Sequence, residues 1–178
     1  MTINGGEIKG STNANTINNL GNCTIGGTAQ INGTNFPTVS NRNGATLTVN
    51  GGTITSRNSQ AIWNISGGTA TITGGTINNS ATVNNNVINN YGKCTISGIA
   101  QINRTATSYP AVVNQSGATL EISGGTITAT ATYAVWNISG GTATITGGTI
   151  TSTSSYAIYN SGTATVSGAT ISGKTYGI

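Results

Sequence analysis

Apolar residues along the chain alternate with polar ones in short bursts. Leu47-Thr48-Val49, Ala70-Thr71-Ile72, Leu120-Glu121-Ile122 and Ala143-Thr144-Ile145 each set two aliphatic side chains around one polar residue. A period of two places the aliphatics on one side of an extended segment and Thr or Glu on the other. A glycine pair commonly follows, as at Gly51-Gly52, Gly74-Gly75, Gly124-Gly125 and Gly147-Gly148. Glycine accepts positive φ and lets backbones approach, so each pair is read as a corner. A second segment of Thr-Ile-Thr type then points Ile54, Ile77, Ile102, Ile127, Ile150 and Ile171 inward. After a loop of variable length comes a third segment, carrying Val39, Ile62, Val112, Val135 and Ile158. No apolar pattern of period 3.6 persists, and Thr, Ile, Val, Asn and Gly dominate, so helix is not expected.

These bursts recur. An asparagine closes each third segment at nearly even intervals, at Asn19, Asn41, Asn64, Asn89, Asn114, Asn137 and Asn160. A unit of about 23 residues cannot bury a core alone, so neighbouring units must stack. The fold expected is all-β: a single-stranded right-handed parallel β-helix, or β-solenoid, of about 7–8 coils with three short strands per coil. In it Ile3, Ile25, Val49, Ile72, Ile96, Ile122, Ile145 and Val166 form one inward column. Strands about 4.8 Å apart would make a rod on the order of 35 Å long. The asparagines are expected at an inward bend, their amides bonding from coil to coil as in stacked Asn ladders.

A longer period overlies the short one. Cys23-Thr24-Ile25 returns as Cys94-Thr95-Ile96, and Trp63-Asn64-Ile65-Ser66-Gly67-Gly68 returns unchanged from Trp136 to Gly141. Both offsets correspond to three coils, so a three-coil unit is read as duplicated. The opening Thr2-Ile3-Asn4-Gly5-Gly6 matches Thr48-Val49-Asn50-Gly51-Gly52, and the closing Tyr176-Gly177-Ile178 matches Tyr156-Ala157-Ile158. The expectation is one solenoid domain over residues 1–178, cut mid-coil at both ends from a longer protein.

Composition narrows the chemistry. Only 4% of the 178 residues are charged, there is no Asp or His, and the two carboxylates are Glu7 and Glu121. A typical domain is about 25% charged. Glycoside hydrolysis generally uses two carboxyl groups about 5–9.5 Å apart, and Glu7 and Glu121 fall on different coils. Calcium sites want clustered oxygen ligands, and a serine nucleophile lacks a histidine. No catalytic residue, cofactor or metal ligand is therefore expected. The cations Lys9, Arg42, Arg57, Lys93, Arg104 and Lys174 are scattered singly and read as solvated surface, not as the basic stripe of a nucleic-acid binder. No stretch approaches the ~18 apolar residues of a membrane helix, so no membrane insertion is expected. Cys23 and Cys94 take an inward slot shared with Leu47, Ala70, Leu120 and Ala143. Three rungs, roughly 14 Å, separate them, too far for a disulfide.

Two outward surfaces are candidates for function. Trp63, Ile88, Val113, Trp136 and Tyr159 lie between the inward aliphatic and the asparagine of their coils. Alternation turns them outward as an apolar stripe, and a contiguous exposed stripe calls for a covering segment, a lateral homo-oligomer or a glycan platform. The second surface is a Thr-x-Thr array, including Thr53 with Thr55, Thr71 with Thr73, Thr126 with Thr128, Thr144 with Thr146 and Thr149 with Thr151. Such arrays look like the ice-binding faces of antifreeze β-solenoids. Gln30, Gln101, Glu121, Asn78 and Lys9 interrupt this one. The most variable loops, Thr55 to Gln60, Asn78 to Asn86 and Arg104 to Pro110, are a further place to look for recognition.

Ile122-Ser123-Gly124-Gly125-Thr126-Ile127 and Ala157-Ile158-Tyr159-Asn160-Ser161-Gly162-Thr163 resemble the repeats of bacterial right-handed parallel β-helix proteins of the pectin-lyase-like superfamily. That group includes polysaccharide lyases, phage tailspikes and surface adhesins. The resemblance spans essentially the whole chain and implies fold more than function. Its enzymatic members depend on clustered Asp residues, which are missing here. The resemblance thus implies a non-catalytic structural or attachment solenoid of a bacterial surface adhesin or phage tail-fibre-like protein. Such a protein would be extracellular, on a cell surface or on a virion, with a glycan or protein surface as partner. The alternatives are an ice-binding solenoid and the scaffold part of a polysaccharide-degrading enzyme whose active site lies outside these residues.

Overall fold

A computed structural model describes residues 1–79, 85–105 and 109–178. Every strand pair among them is parallel and no residue among them is helical. The chain winds as a β-solenoid of about seven turns. The first and second segments of successive coils build a 12-stranded sheet, and the third segments build a 7-stranded sheet facing it.

Register follows the alternation. Ile3, Ile25, Val49, Ile72, Ile96, Ile122, Ile145 and Val166 pair coil to coil as one column. Ile8, Ile31, Ile54, Ile77, Ile102, Ile127, Ile150 and Ile171 form the second. Ile17, Val39, Ile62, Ile88, Val112, Val135 and Ile158 form the third. These columns meet in a single apolar core that runs the length of the stack. Cys23 sits in register with Leu47, and Cys94 sits between Ala70 and Leu120, both thiols buried and free. They fill the slot the sequence assigns them.

The glycine pairs do not break the strand as a corner would. Thr46–Ser56, Thr69–Asn79, Thr119–Ala129 and Thr142–Ser152 each run through their pair as one 11-residue strand. A register irregularity marks the pair instead. The second glycine takes positive φ, 79° at Gly75 and 78° at Gly125. A Cβ on Gly75 would stand 2.6 Å from the Gly51 carbonyl oxygen of the coil below. Glycine is required there by backbone angle and by clearance together.

The asparagine ladder is continuous, with one member corrected. Asn19, Asn41, Asn64, Asn90, Asn114 and Asn137 each donate from Nδ2 to the Oδ1 of the next asparagine, ending at Asn160, over 2.7–2.8 Å. Each of these six Nδ2 groups also reaches a backbone carbonyl of the following coil at 2.9–3.0 Å. Asn89 is not in the ladder. The third segment there is Ile88–Asn90, paired as Ile88 on Ile62, Asn89 on Trp63 and Asn90 on Asn64. The ladder amide therefore lies two positions after the inward aliphatic in every coil. A one-residue slip exchanges faces, so Ile88 also leaves the outward stripe and enters the core, where it is 0% exposed.

A second inward column mixes small and polar residues. Gly33, Ser56, Asn79, Arg104, Ala129, Ser152 and Gly173 lie in register two positions beyond the inward isoleucines. Polar side chains in it hold the adjoining loops: Ser56 Oγ donates to the Ser59 carbonyl and Asn79 Nδ2 to that of Asn86 in the loops that follow, while Ser152 Oγ and Asn79 Nδ2 reach back to the carbonyls of Thr132 and Ser59 in the preceding coil. Arg104 belongs to this column and is fully buried, contrary to the expectation of a solvated cation. Its Nη1 donates to the backbone oxygen and to Oδ1 of Asn79, each at 3.1 Å. Alternation from Ile102 forces this placement, and burial pulls its pKa down; hydrogen bonds to the neighbouring coil compensate the desolvation.

Candidate functional site

The outward column of the third segments reads Asn18, Ser40, Trp63, Asn89, Val113, Trp136 and Tyr159. The expected apolar stripe is thus interrupted. Asn18 accepts from Arg42 Nε at 2.6 Å and Asn89 accepts from Gln115 Nε2 at 2.8 Å. Val113 is covered, at 2% exposed, while Tyr159 is 39% exposed. Trp63 stands between Ser40 and Asn89, separated from the rest. Val113, Trp136 and Tyr159 remain together at the C-terminal end of the face.

There the structure adds residues that sequence reasoning passed over. Two positions before the inward aliphatic, Pro110, Tyr133, Tyr156 and Tyr176 follow one another coil by coil, linked by backbone bonds from Ala111 to Tyr133 and from Ala157 to Tyr176. Tyr133 and Tyr159 stack with ring centroids 4.7 Å apart and planes 15° from parallel. Trp136 meets both rings edge-on at 6.2 Å. Tyr156 meets both edge-on at 6.0 Å and leans on Tyr176 at 5.5 Å. Offset-stacked and edge-to-face arrangements are the favourable ones for aromatic rings. The signal was present as Tyr-Ala-Val-Trp and Tyr-Ala-Ile-Tyr at 133–136 and 156–159, but the leading tyrosines lie in the turn, where strand alternation gives no direction.

Tyr109, Pro110, Thr132, Tyr133, Trp136 and Tyr159 line an open cleft of about 450 Å³ in this cluster. None carries a formal charge. The indole Nε1 of Trp136 is buried without an acceptor, and so is that of Trp63, its counterpart three coils away between Ser40 and Asn89. The unmet donor is therefore a property of the slot and says nothing about the cleft.

The other polar surfaces are organised differently. Glu7 pairs with Lys9 at 3.2 Å and accepts from Asn32 Nδ2 at 2.9 Å. Glu121 pairs with Lys93 at 3.0 Å and accepts from Thr95 at 3.2 Å. The hydrogen bond from Lys93, reinforced by its charge and by Thr95, outweighs desolvation and holds the Glu121 carboxyl below its usual range. Each carboxylate is thus engaged by a lysine on an outward face, in a different coil from the other. Among the described residues no three His, Cys, Asp or Glu side chains converge as a metal site.

The threonines do align. Thr2, Thr24, Thr48, Thr71, Thr95, Glu121, Thr144 and Thr165 form one outward column, and Asn22, Thr46, Thr69, Lys93, Thr119, Thr142 and Thr163 form its neighbour. The Lys93–Glu121 ion pair lies across the middle of both. Of the three loops read as candidates for recognition, Thr55 to Gln60 is held by Ser56 and Ser59. In the other two, residues 80–84 and 106–108 lie outside the described residues. Compared with known proteins, the chain matches no family model, no curated protein and no solved structure.

Proposed function

We propose that this chain is a non-catalytic attachment solenoid: a stiff, parallel-stacked shaft that presents a recognition surface to a glycan or protein partner. The observation that carries the reading is the Tyr133–Tyr159 stack and the rings around it, at the outer face of the 7-stranded sheet and the turns that lead into it. An aromatic patch exposed on an otherwise Thr-, Ser- and Asn-rich surface is the kind of feature that marks interaction sites. Resemblance to bacterial β-helix repeats supports an adhesin or tail-fibre context, on a cell surface or virion. The commitment of both carboxylates to lysines supports the non-catalytic part. The test is an immobilised panel of glycans and intact bacterial surfaces probed with the purified chain, run beside a turnover screen on pectin, other uronides and common glycans. Retention with no turnover is the expected result, and depolymerisation of any substrate would overturn the reading.

The aligned threonine columns favour a second reading, ice binding. Threonines at strand spacing make a regular, flat, weakly hydrated array. The ion pair across its centre breaks that array into two short pieces, which is why this reading ranks second. A freezing gap in a thermal-hysteresis assay, abolished by Thr71→Tyr, would promote it; normal ice growth removes it.

A further inference from the structure

We propose that the cleft between Tyr109–Pro110 and the Tyr133–Trp136–Tyr159 rings is a binding site for a neutral saccharide. The inference rests on the attachment reading above and gives it a ligand class and a location.

The first argument is the duplication, which supplies an internal control. The two halves of the rod share the same strands, register and core columns, and Trp136 and Tyr109 match Trp63 and Phe36, yet Tyr133, Tyr156 and Tyr159 have no aromatic counterpart. Where the C-terminal coils carry Pro110, Tyr133 and Tyr156, register places Pro37, Gln60 and Asn86 in the N-terminal coils. Where Trp136 is flanked by Val113 and Tyr159, Trp63 is flanked by Ser40 and Asn89. The same coil therefore folds and stacks without the cluster. A tyrosine stack that the architecture does not require, with Tyr159 left 39% in water, points to a ligand.

The second argument is the lining. Aromatic faces carry partial negative charge and accept the electropositive C–H face of a pyranose, while phenol and threonine hydroxyls can exchange hydrogen bonds with its rim. Three tyrosines and Thr132 provide those hydroxyls at the cleft. No cation or carboxylate lines it, so an anionic or cationic ligand would find no counter-charge. Its volume is also that of an ordinary small-ligand pocket.

The third argument is extent. A stable protein interface covers about 800 Å² on each partner. Here exposed Thr153, Ser154 and Ser161 lie in the same coil as Tyr156 and Tyr159, and the aromatic run continues through Tyr156 to exposed Tyr176 of the last coil. Leu20, Phe36 and Ile99, also exposed, belong to other coils. An open cleft of about 450 Å³ lined by rings fits a chain of sugars better than the broad face of a folded partner.

Trp63→Phe leaves Trp136 as the sole tryptophan, so its fluorescence reports on this cleft. In that background the protein is titrated with neutral hexaoses of glucose, xylose, mannose and N-acetylglucosamine, with polygalacturonate and a proline-rich peptide as comparisons. A saturable change with at least one neutral hexaose is expected. Tyr159→Ala should weaken it tenfold or more, as should Tyr109→Ala, which leaves the Tyr133–Tyr159 stack in place. Tyr91→Ala, an exposed tyrosine in another coil, should not. Circular dichroism confirms that each variant is folded. No saturable response to any neutral hexaose overturns the proposal, as does a response only to polygalacturonate or the peptide, or one indifferent to Tyr109 and Tyr159. If the chain still holds to surfaces in the panel described above, attachment survives and only the saccharide site falls.

Discussion

The amide of Asn64 donates to Oδ1 of Asn90 at 2.8 Å, across 26 residues of chain. Its neighbour Asn89 differs by one position and sits on the opposite side of the sheet, in register with Trp63. Two adjacent residues of the same type thus have different worth. Asn90→Ala leaves Asn64 Nδ2 only its backbone acceptors, takes the donor from the buried Asn114 Oδ1 and breaks the ladder at its centre. It should lower the unfolding free energy by about 1–3 kcal/mol or more, the cost of leaving buried polar groups unmet. Asn89→Ala, which loses only the bond from Gln115, should stay within about 0.5–1 kcal/mol of the parent. Guanidinium unfolding followed by circular dichroism measures both, and equal losses would contradict this ladder.

Arg104 makes the same point about the second inward column. Its guanidinium is buried against Asn79, whose amide in turn holds the carbonyls of Ser59 and Asn86. Arg104→Ala should cost about 1–3 kcal/mol through those hydrogen bonds, although alanine fills the slot naturally one coil on at Ala129. Arg104→Lys should not restore the loss, because the lysine side chain is one atom shorter than the arm that carries Nη1 to both oxygens of Asn79, and its ammonium is more strongly hydrated. A double-mutant cycle with Asn79→Ala should show coupling above about 0.5 kcal/mol; additive losses would mean that the two side chains act independently.

How much of this was legible follows from what alternation can specify. The columns through Val49, Ile54 and Ile62 could be placed from the sequence, because a period of two gives each side chain a side and the recurrence of the coil gives it a neighbour. The Asn89-Asn90 doublet defeated that reading, since even spacing selected the wrong member while the constant step from aliphatic to asparagine selects the right one. Arg104 was misplaced for a different reason. Its charge argued for solvent, but its position two places after Ile102 argued for the interior, and backbone geometry prevailed. The tyrosine column of Tyr133, Tyr156 and Tyr176 lies in turns, where direction depends on how coils stack and not on local pattern. Of the site, Trp136 and Tyr159 were therefore foreseeable and the rings that make it a cleft were not.

The cysteines test the core from within. Burial pushes the Cys94 thiol up to about 12 and also raises Cys23, partly offset by the nearby amino terminus. An unfolded thiol titrates near 8.5. Their contribution to stability is therefore complete below about pH 8.5 and is lost as pH rises toward the folded value, because the unfolded chain releases protons that the folded one retains. The denaturant midpoint should fall between pH 8 and 10.5, and Cys94→Ala, which mimics Ala70 in the adjacent coil, should flatten that fall. In the native state neither thiol should react with an aromatic disulfide reagent until denaturant is added. Rapid native labelling would place them at the surface.

Gly75 shows what holds the coils at one spacing. It has φ of 79°, and its missing Cβ would lie 2.6 Å from the Gly51 carbonyl oxygen. The obstacle is backbone belonging to the stacked neighbour, so no side-chain rotation relieves it. Gly75→Ala combines an unfavourable left-handed conformation, worth about 1 kcal/mol or more, with a clash that only separating two rungs can remove. The expected loss is about 2 kcal/mol or more, read as a lower melting temperature. Gly117→Ala is the control: it shares the positive φ, 76°, but nothing lies within 4 Å of its Cβ position. If the two variants melt together, conformational strain alone accounts for the glycine; a clearly lower melting point for Gly75→Ala assigns the difference to contact between windings.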